Sequence, residues 1–257
     1  MGLSTYYPIP SHREGGDIDI FTYSADHSRK SDAEANRLAD RLMEEKGIEV
    51  DLEHSEKHSM FYYKGIPIEN HKLINSETYH IAVKMDKLLQ ELLQPVSAEL
   101  DGKYPIFIPS STFNTVFLAF HAAQHYARGL ALHHLCDWAC LLNRYGLHIP
   151  EEVTDIRFRN MMLAMTHLCN DYLGTSVPVY GGEGLAEEIL REIIRPPYTK
   201  FVPAKNKWSI LVYKTKRMLH THRACNSVLR ISLCKWVGIS ILLHLRSPHT
   251  IFQTERK

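Results

Sequence analysis

The sequence predicts an α+β protein in which a mixed sheet with one covering helix precedes an all-α region. Residues 1–75 contain several short segments with the apolar alternation of strands and one segment with the apolar spacing of a helix. From about residue 77 onward, apolar residues recur at helical spacing. The chain has 257 residues, of which 44% are hydrophobic, enough for a large core. This composition excludes a collagen-like, low-complexity or wholly disordered protein.

Four short strands are predicted in the first 75 residues. In residues 17–23 acidic and apolar side chains alternate, as in a strand with one buried face. The other three predicted strands cover residues 48–52, 59–63 and 66–73. Lys64 and Gly65 are expected to form the turn between the last two strands.

One helix is predicted between the first two strands. Ser31 and Glu34 have the spacing of a capping box, with Ser31 as the N-cap, and Gly47 is expected to end the helix. Five apolar residues at helical spacing predict a stripe that packs on the sheet: Ala35, Leu38, Ala39, Leu42 and Met43.

The rest of the chain is predicted to be helical, with a loop at residues 97–109. The predicted helices cover residues 77–94, 111–128, 130–145, 151–173, 184–195, 207–222 and 227–245. Pro196 and Pro197 are the strongest linker signal. We therefore predict an α/β part at 1–75, a helical region at 76–197 that completes a cleft, and a basic helical segment at 198–257.

The net charge of +1 conceals two opposite charges. Residues 198–257 contain 12 Lys and Arg but one acid, Glu255, and therefore carry +11, whereas residues 1–197 carry −10. Such an asymmetry indicates a polyanionic partner or an acidic surface on which the basic segment docks. Docking is favoured over nucleic-acid binding, because the basic residues lack interleaved aromatic residues for base stacking.

The cysteines and the hydropathy predict a cytoplasmic protein with free thiols. The chain has five cysteines, an odd number, and no CxxC motif. The sequence contains no run of 18 apolar residues, so it does not predict a membrane-spanning helix. Residues 231–245 are the most apolar segment and are expected to form a buried helix, with an interfacial membrane helix as the alternative.

A short acidic motif is the sharpest local feature. Asp17 and Asp19 stand at i and i+2 of the first strand, so their carboxylates share one face and can converge on a divalent cation such as Mg²⁺. Gly15 and Gly16 precede them and allow the backbone to approach a phosphate closely. Arg13 is a candidate phosphate contact. The alternative is an exposed strand edge whose acids prevent aggregation.

Longer stretches around this motif resemble a known family. The resemblance is carried by residues 6–20 (YYPIPSHREGGDIDI), 61–71 (FYYKGIPIENH), 121–125 (HAAQH) and 132–138 (LHHLCDW). They are similar to the nucleotidyltransferase superfamily, whose fold is the polymerase-β palm, and more narrowly to bacterial nucleotidyltransferase family proteins.

The resemblance implies two-metal nucleotidyl transfer, in which cations stabilise the attacking and leaving oxygens at the α-phosphate. It implies that Asp17 and Asp19 hold the cations and that Glu69 holds the second one near the acceptor. Strand alternation supports Glu69, because Ile66 and Ile68 before it can point inward while Glu69 points to the face of the acidic motif. The other candidates for the third acid are Glu49, Asp51 and Glu53.

The family's glycine-containing nucleotide-binding element corresponds here to Gly2 and Ser4, beside Leu3. The family pattern places a strand and helix before this element. The resemblance therefore implies that the chain lacks an N-terminal part and binds Mg²⁺–NTP weakly or not at all.

Histidines and cysteines cluster between residues 121 and 140. His121 and His125, like Cys136 and Cys140, are spaced to share a helix face. Zinc is a less favoured interpretation, because this spacing matches no closed structural site. We expect instead that His71, His121, His125 and Asp137 line a cleft and contact the acceptor or base; structural hydrogen bonding is the alternative.

Together these observations predict an enzyme that uses Mg²⁺ or Mn²⁺ to transfer a nucleoside monophosphate from an NTP to a hydroxyl acceptor, releasing pyrophosphate. The alternative is a catalytically inactive interaction module, antitoxin-like or regulatory, with the same fold.

Overall fold

The structure is a computed structural model that describes residues 2–13, 15–24, 26, 28–52, 57–74, 80–100, 104–126, 128–198 and 206–246. The chain divides into two compact units, Met1–Phe113 and Asn114–Lys257, and each is described by itself. The predicted boundaries after residues 75 and 197 divide the chain differently and stay predictions.

The first unit is mixed α/β, as the sequence predicts. It begins with two short 3-10 helices, Gly2–Tyr6 and Pro10–His12. Its further elements are β1 Ile18–Phe21, α1 Arg29–Glu45, β2 Val50–Asp51, β3 His58–Tyr63, β4 Ile66–His71, α2 His80–Leu92, β5 Pro95–Leu100 and β6 Tyr104–Pro109. The predicted start of α2 at residues 77–79 lies outside the described residues.

A four-stranded mixed sheet forms the centre of this unit, in the order β1-β4-β3-β2. β1 is parallel to β4, and the other neighbours are antiparallel. All four predicted strands are therefore confirmed. Lys64 and Gly65 make the turn between β3 and β4 with φ values of 52° and 80°, the positive pair that a tight hairpin requires.

The predicted N-cap of α1 is wrong. Helix α1 begins three residues earlier than a Ser31 cap allows, because the Ser28 side chain accepts a hydrogen bond from the Ser31 N–H. Ser31 therefore occupies the first turn of the helix. The end of α1 is confirmed: Gly47 follows the C-cap with a φ of 77°.

The inner face of α1 is more polar than its apolar stripe predicts. Asn36 and Asp40 are its buried residues, whereas Leu38 and Leu42 are 50% and 44% exposed. The reason lies in the sheet: Asp40 Oδ1 accepts hydrogen bonds from Ser59 of β3 and Asn70 of β4. Polar partners on the sheet thus draw the polar side of the helix inward.

The predicted loop at residues 97–109 is wrong, because β5 and β6 form an antiparallel two-stranded sheet there. Prolines at 95, 105 and 109 argue for a loop in the sequence. Pro95 and Pro109 instead pair with each other at the end of the ladder. Both strands of a two-stranded sheet are edge strands, where a missing N–H is tolerated.

The second unit consists of helices. Helix α3, Ser111–His125, begins in the first unit and continues into the second. It is followed by α4 Leu132–Tyr145, α5 Ile156–Tyr172, α6 Glu183–Ile194, α7 Lys207–Leu229 and α8 Leu233–Arg246. The predicted break at residues 223–226 is wrong, because these residues include no Gly or Pro and α7 continues through them to Leu229. The C-cap is Arg230, whose φ is 48°.

Helix α5 is the centre of the second unit and packs against α4, α6 and α7. Met161, Met162 and Met165 of this helix are fully buried. Trp138 of α4 is also fully buried, and its Nε1 donates a hydrogen bond to Thr166 Oγ1 at 3.1 Å. This bond satisfies the one polar atom of the indole.

The basic C-terminal helices dock on acidic residues of the same unit. His220 of α7 lies 2.7 Å from Glu192 of α6, between Nε2 and Oε1. Arg230 Nε lies 3.2 Å from Asp155 Oδ2, at the start of α5. Both contacts involve α7 or its C-cap, and docking of the whole basic segment on an acidic surface stays a prediction.

All five cysteines are free thiols, which agrees with the sequence. Within the described residues, no helix has the length and apolar character needed to cross a membrane.

Candidate functional site

One face of the central sheet carries a cluster of acids and histidines. The parallel register places Asp19 of β1 beside Glu69 of β4. The antiparallel register places His58 of β3 beside His71 of β4. Residues 69 and 71 point to the same face because side chains alternate along a strand. The four side chains therefore share one side of three neighbouring strands.

The His71 imidazole lies between the two carboxylates. Its Nε2 is 2.6 Å from Asp19 Oδ1 and 3.2 Å from Glu69 Oε2. His58 Nε2 also lies 3.2 Å from Glu69 Oε2, and the two imidazole rings are 5.0 Å apart. Ligand atoms of Asp19, Glu69 and His71 all lie within 4.8 Å of one another, a spacing that one metal ion can span after small side-chain rotations.

The cluster lowers the pKa of Asp19. The hydrogen bond to His71 is the main cause, and the nearby His71 and Lys57 charges add to it, while partial burial opposes them. The carboxylate of Asp19 is thereby held ionised. His58 and His71 are both buried, whereas the Asp19 side chain is 64% exposed and open to a ligand.

Hydrogen bonds on the opposite sheet face hold β4 in place. Asn70, which lies between Glu69 and His71, donates from Nδ2 to Asp40 Oδ1 at 2.8 Å and accepts from Thr22 Oγ1 at 3.1 Å. Asn36 Nδ2 donates to the His71 carbonyl oxygen at 3.1 Å. These bonds fix the strand segment that presents the site residues.

Asp17 lies immediately before β1 and is exposed. Among the described residues, it is not in the group whose ligand atoms lie within 4.8 Å of one another. Its predicted metal-binding role stays a prediction.

The predicted phosphate contacts precede this strand. A Cβ at Gly16 would meet no atom within 4 Å, and one at Gly15 would meet only Asp17 O at 3.8 Å and Arg13 Nη1 at 4.0 Å. The neighbouring atoms of the chain would therefore leave room for a side chain at either position. Arg13 lies beside that backbone, and the phosphate-binding role of Arg13, Gly15 and Gly16 stays a prediction.

Gly2 and Ser4 lie in the first 3-10 helix. A Cβ at Gly2 would meet Ile108 and Pro109 of β6 at 3.6 Å. This end of the chain therefore lies against the β5–β6 hairpin, and a nucleotide-binding role for Gly2 and Ser4 stays a prediction.

The sheet register favours Glu69 over the other acids considered for the third position. Asp51 of β2 pairs with Met60 of β3, which in turn pairs with Glu69. Asp51 thus shares the face but lies two strands, about 10 Å, from Glu69. Glu49 is exposed before β2, and Glu53 lies outside the described residues.

The sequence analysis missed His58 and did not recognise how close His71 lies to the acids. Both depend on register: the hairpin turn at 64–65 pairs residue 58 with residue 71. Counting outward from that turn would have found the pair.

The helical unit contains a second cluster. Ligand atoms of His121, His125 and His134 lie within 4.8 Å of one another. Among the described residues, Cys136 and Cys140 do not join this group. Burial, followed by the charge of His133, lowers the pKa of His134 to about 4, so its imidazole is neutral at pH 7. The predicted cleft that combines these residues with His71 stays a prediction.

The donor atoms of the first cluster fit the expected cation in part. The carboxylates of Asp19 and Glu69 are the hard oxygen ligands that Mg²⁺ and Mn²⁺ prefer. The nitrogen of His71 is a poor Mg²⁺ ligand but a suitable hydrogen-bond donor to Asp19. His71 therefore fits best as a residue that orients the carboxylates.

The chain belongs to the family of uncharacterised nucleotidyltransferases, whose family model matches residues 1–174. The match extends from the first 3-10 helix through α5, and it confirms the resemblance to nucleotidyltransferases. It says nothing of bacterial origin. Comparisons with curated proteins and with solved structures found no match.

Proposed function

We propose that this chain transfers a nucleoside monophosphate from an NTP to a hydroxyl acceptor, with Mg²⁺ or Mn²⁺ as cofactor and with release of pyrophosphate. The observation that carries the proposal is the pairing of Asp19 with Glu69 on parallel strands. Two adjacent carboxylates on one sheet face repel each other unless a cation lies between them. The family match extends over both residues.

In the proposed reaction, the acceptor oxygen forms a bond to the α-phosphorus and pyrophosphate leaves with the electrons of the broken P–O bond. Asp19, together with Asp17, would hold the cation that binds the triphosphate. Glu69 would hold the second cation and would take up the hydroxyl proton. The cations, when bound, stabilise the charge on the attacking and leaving oxygens. Arg13 contacts the phosphates by charge-assisted hydrogen bonds.

Metal and nucleotide binding test this proposal without knowledge of the acceptor. Mn²⁺ binding is measured by electron paramagnetic resonance in the presence of each of the four NTPs, and NMP transfer is measured with α-labelled NTP. We expect the Asp19→Asn and Glu69→Gln variants to lose both Mn²⁺ binding and NMP transfer. Asp51→Asn is the matched control, because Asp51 shares the sheet face but lies two strands away. Equal Mn²⁺–NTP binding by Asp19→Asn and wild type would refute the proposal.

One observation favours the inactive interaction module as a second candidate. His71 Nε2 already contacts both carboxylates, so hydrogen bonding to this imidazole can hold them together without a metal ion. This alternative predicts no Mn²⁺ binding by wild type and no effect of Asp19→Asn on a partner complex. If the chain is the proposed enzyme, the wild-type protein should bind Mn²⁺.

A further inference from the structure

Three imidazoles from two helices meet inside the second unit. His121 and His125 are one turn apart near the end of α3, and His134 is in the first turn of α4. The ring centroids are 4.6 Å apart for His121–His125, 4.9 Å for His125–His134 and 5.3 Å for His121–His134. Each ring therefore neighbours both others.

His134 supplies an independent observation that points to a ligand. The residue is 6% exposed, and its Nε2 is buried without a hydrogen-bond partner. Its Nδ1 is engaged at the helix start, 3.1 Å from the Ala131 carbonyl oxygen and 3.2 Å from the Ala131 nitrogen. A buried nitrogen without a partner costs free energy, and a bound ion would remove that cost.

The position of Nδ1 suits a metal-binding histidine. Such residues commonly donate the N–H of one ring nitrogen to a carbonyl oxygen, which leaves the lone pair of the other nitrogen for the metal. Nδ1 accepts a hydrogen bond from the Ala131 N–H in one tautomer and donates to the Ala131 carbonyl oxygen in the other. Metal binding selects the second tautomer, in which Nε2 presents its lone pair.

We propose that His121, His125 and His134 form a binding site for one Zn²⁺ ion. Three imidazole nitrogens match the donors that zinc prefers, whereas Mg²⁺ prefers oxygen. Zinc–nitrogen bonds of about 2.0 Å place tetrahedral donors about 3.4 Å apart, so side-chain rotations close the present spacing. The ion links α3 to α4 and leaves its fourth position to a water molecule.

The test uses full-length protein without a polyhistidine tag, stripped of metal with a chelator and titrated with ZnCl₂ by calorimetry. We expect one Zn²⁺ per chain and a higher melting temperature with zinc. Co²⁺ in place of Zn²⁺ should give the visible absorption of a tetrahedral site. His134→Ala and His125→Gln should each weaken zinc binding by about 100-fold or more, at least the effect of losing an outer-shell partner.

His148→Ala is the matched control, since His148 is an exposed histidine of the same unit and outside the cluster. It should bind zinc like wild type. His125→Gln, at a half-buried position, provides a second variant if His134→Ala fails to fold. Less than one Zn²⁺ per wild-type chain, or undiminished binding by a folded cluster variant, would overturn the proposal. Asp19→Asn should keep full zinc binding, so this site and the proposed catalytic function can fail separately.

Discussion

His71 Nε2 lies 2.6 Å from Asp19 Oδ1, across two parallel strands and 52 residues of sequence. The contact joins the histidine of β4 to the acid of β1 at the point where Glu69 also lies. The geometry of the acidic site therefore depends on a residue that carries no negative charge.

The Asp19 pKa should respond to removal of this contact. In metal-free protein, His71→Ala should raise the Asp19 pKa toward its ordinary value of 3.8, because the main cause of its depression is lost. A depressed Asp pKa stabilises the fold above the unfolded-state pKa, and this contribution disappears as the pH falls through the folded-state value. Because Asp19 is 64% exposed, solvent weakens the effect on stability.

The measurement is a carboxyl-carbon NMR titration of Asp19 between pH 2 and pH 6. His12→Ala serves as the control, since His12 is exposed and belongs to the same unit. An Asp19 pKa that is the same in wild type and His71→Ala would show that the contact does not form in solution.

The polar network beneath β4 should contribute to stability. Asn70→Ala removes the hydrogen bonds to Asp40, Asn36 and Thr22 and leaves buried polar atoms without partners. We expect a loss of about 1–3 kcal/mol in the free energy of unfolding, measured by urea titration. Leu42→Ala, on the exposed side of α1, should change it by only about 0.5 kcal/mol. A larger effect of Leu42→Ala would mean that α1 packs through its apolar stripe.

Gly182 should tolerate no side chain. A Cβ there would lie 2.8 Å from the Ala164 nitrogen and 3.0 Å from Leu163 Cβ, and φ is 96°. Gly182→Ala should therefore destabilise the protein by about 2 kcal/mol or more. Gly184→Ala, two residues away in α6, meets no atom within 4 Å and should be neutral or stabilising by up to about 1 kcal/mol. The melting temperatures of the two variants are measured by thermal unfolding. Similar values would contradict the close approach of residue 182 to Leu163 and Ala164.

The five thiols should differ sharply in reactivity. Cys234 is exposed, Cys169 and Cys225 are buried, and burial raises the pKa of Cys169 to about 12. Burial and the Asp137 charge also raise the pKa values of Cys136 and Cys140. Ellman's reagent at pH 8 should therefore modify one thiol rapidly in the folded chain and five after unfolding. The rapid phase should vanish in Cys234→Ser, and its persistence there would contradict this order of reactivity.

The basic C-terminal segment should stabilise the unit on which it docks. Deletion of residues 198–257 removes α7, whose contacts with α5 and Glu192 hold it on the second unit. The melting temperature should therefore fall by several degrees. Trp208→Ala, at a position that is 73% exposed, should leave it nearly unchanged. An unaltered melting temperature after the deletion would mean that the segment folds independently.

The sequence by itself determined the four strands of the central sheet and the presence of the helices that follow it. Alternation of acidic and apolar residues defines β1, and the Lys64-Gly65 turn defines the hairpin of β3 and β4, because both signals depend on local backbone geometry. Strand alternation also selected Glu69 as a neighbour of the acidic motif. The predicted loop at residues 97–109 is wrong at β5 and β6. The free-energy cost of a proline in a strand depends on whether that strand is central or at an edge of the sheet.

Only the tertiary structure decided what surrounds these residues. Pairing of β1 with β4 brought His71 to Asp19, and packing of α1 on Asn70 and Ser59 turned its polar side inward. The approach of α4 to α3 added His134 to the pair on α3. Local patterns fix which face a side chain occupies, but contacts between distant segments depend on strand order and helix packing, which no local pattern specifies.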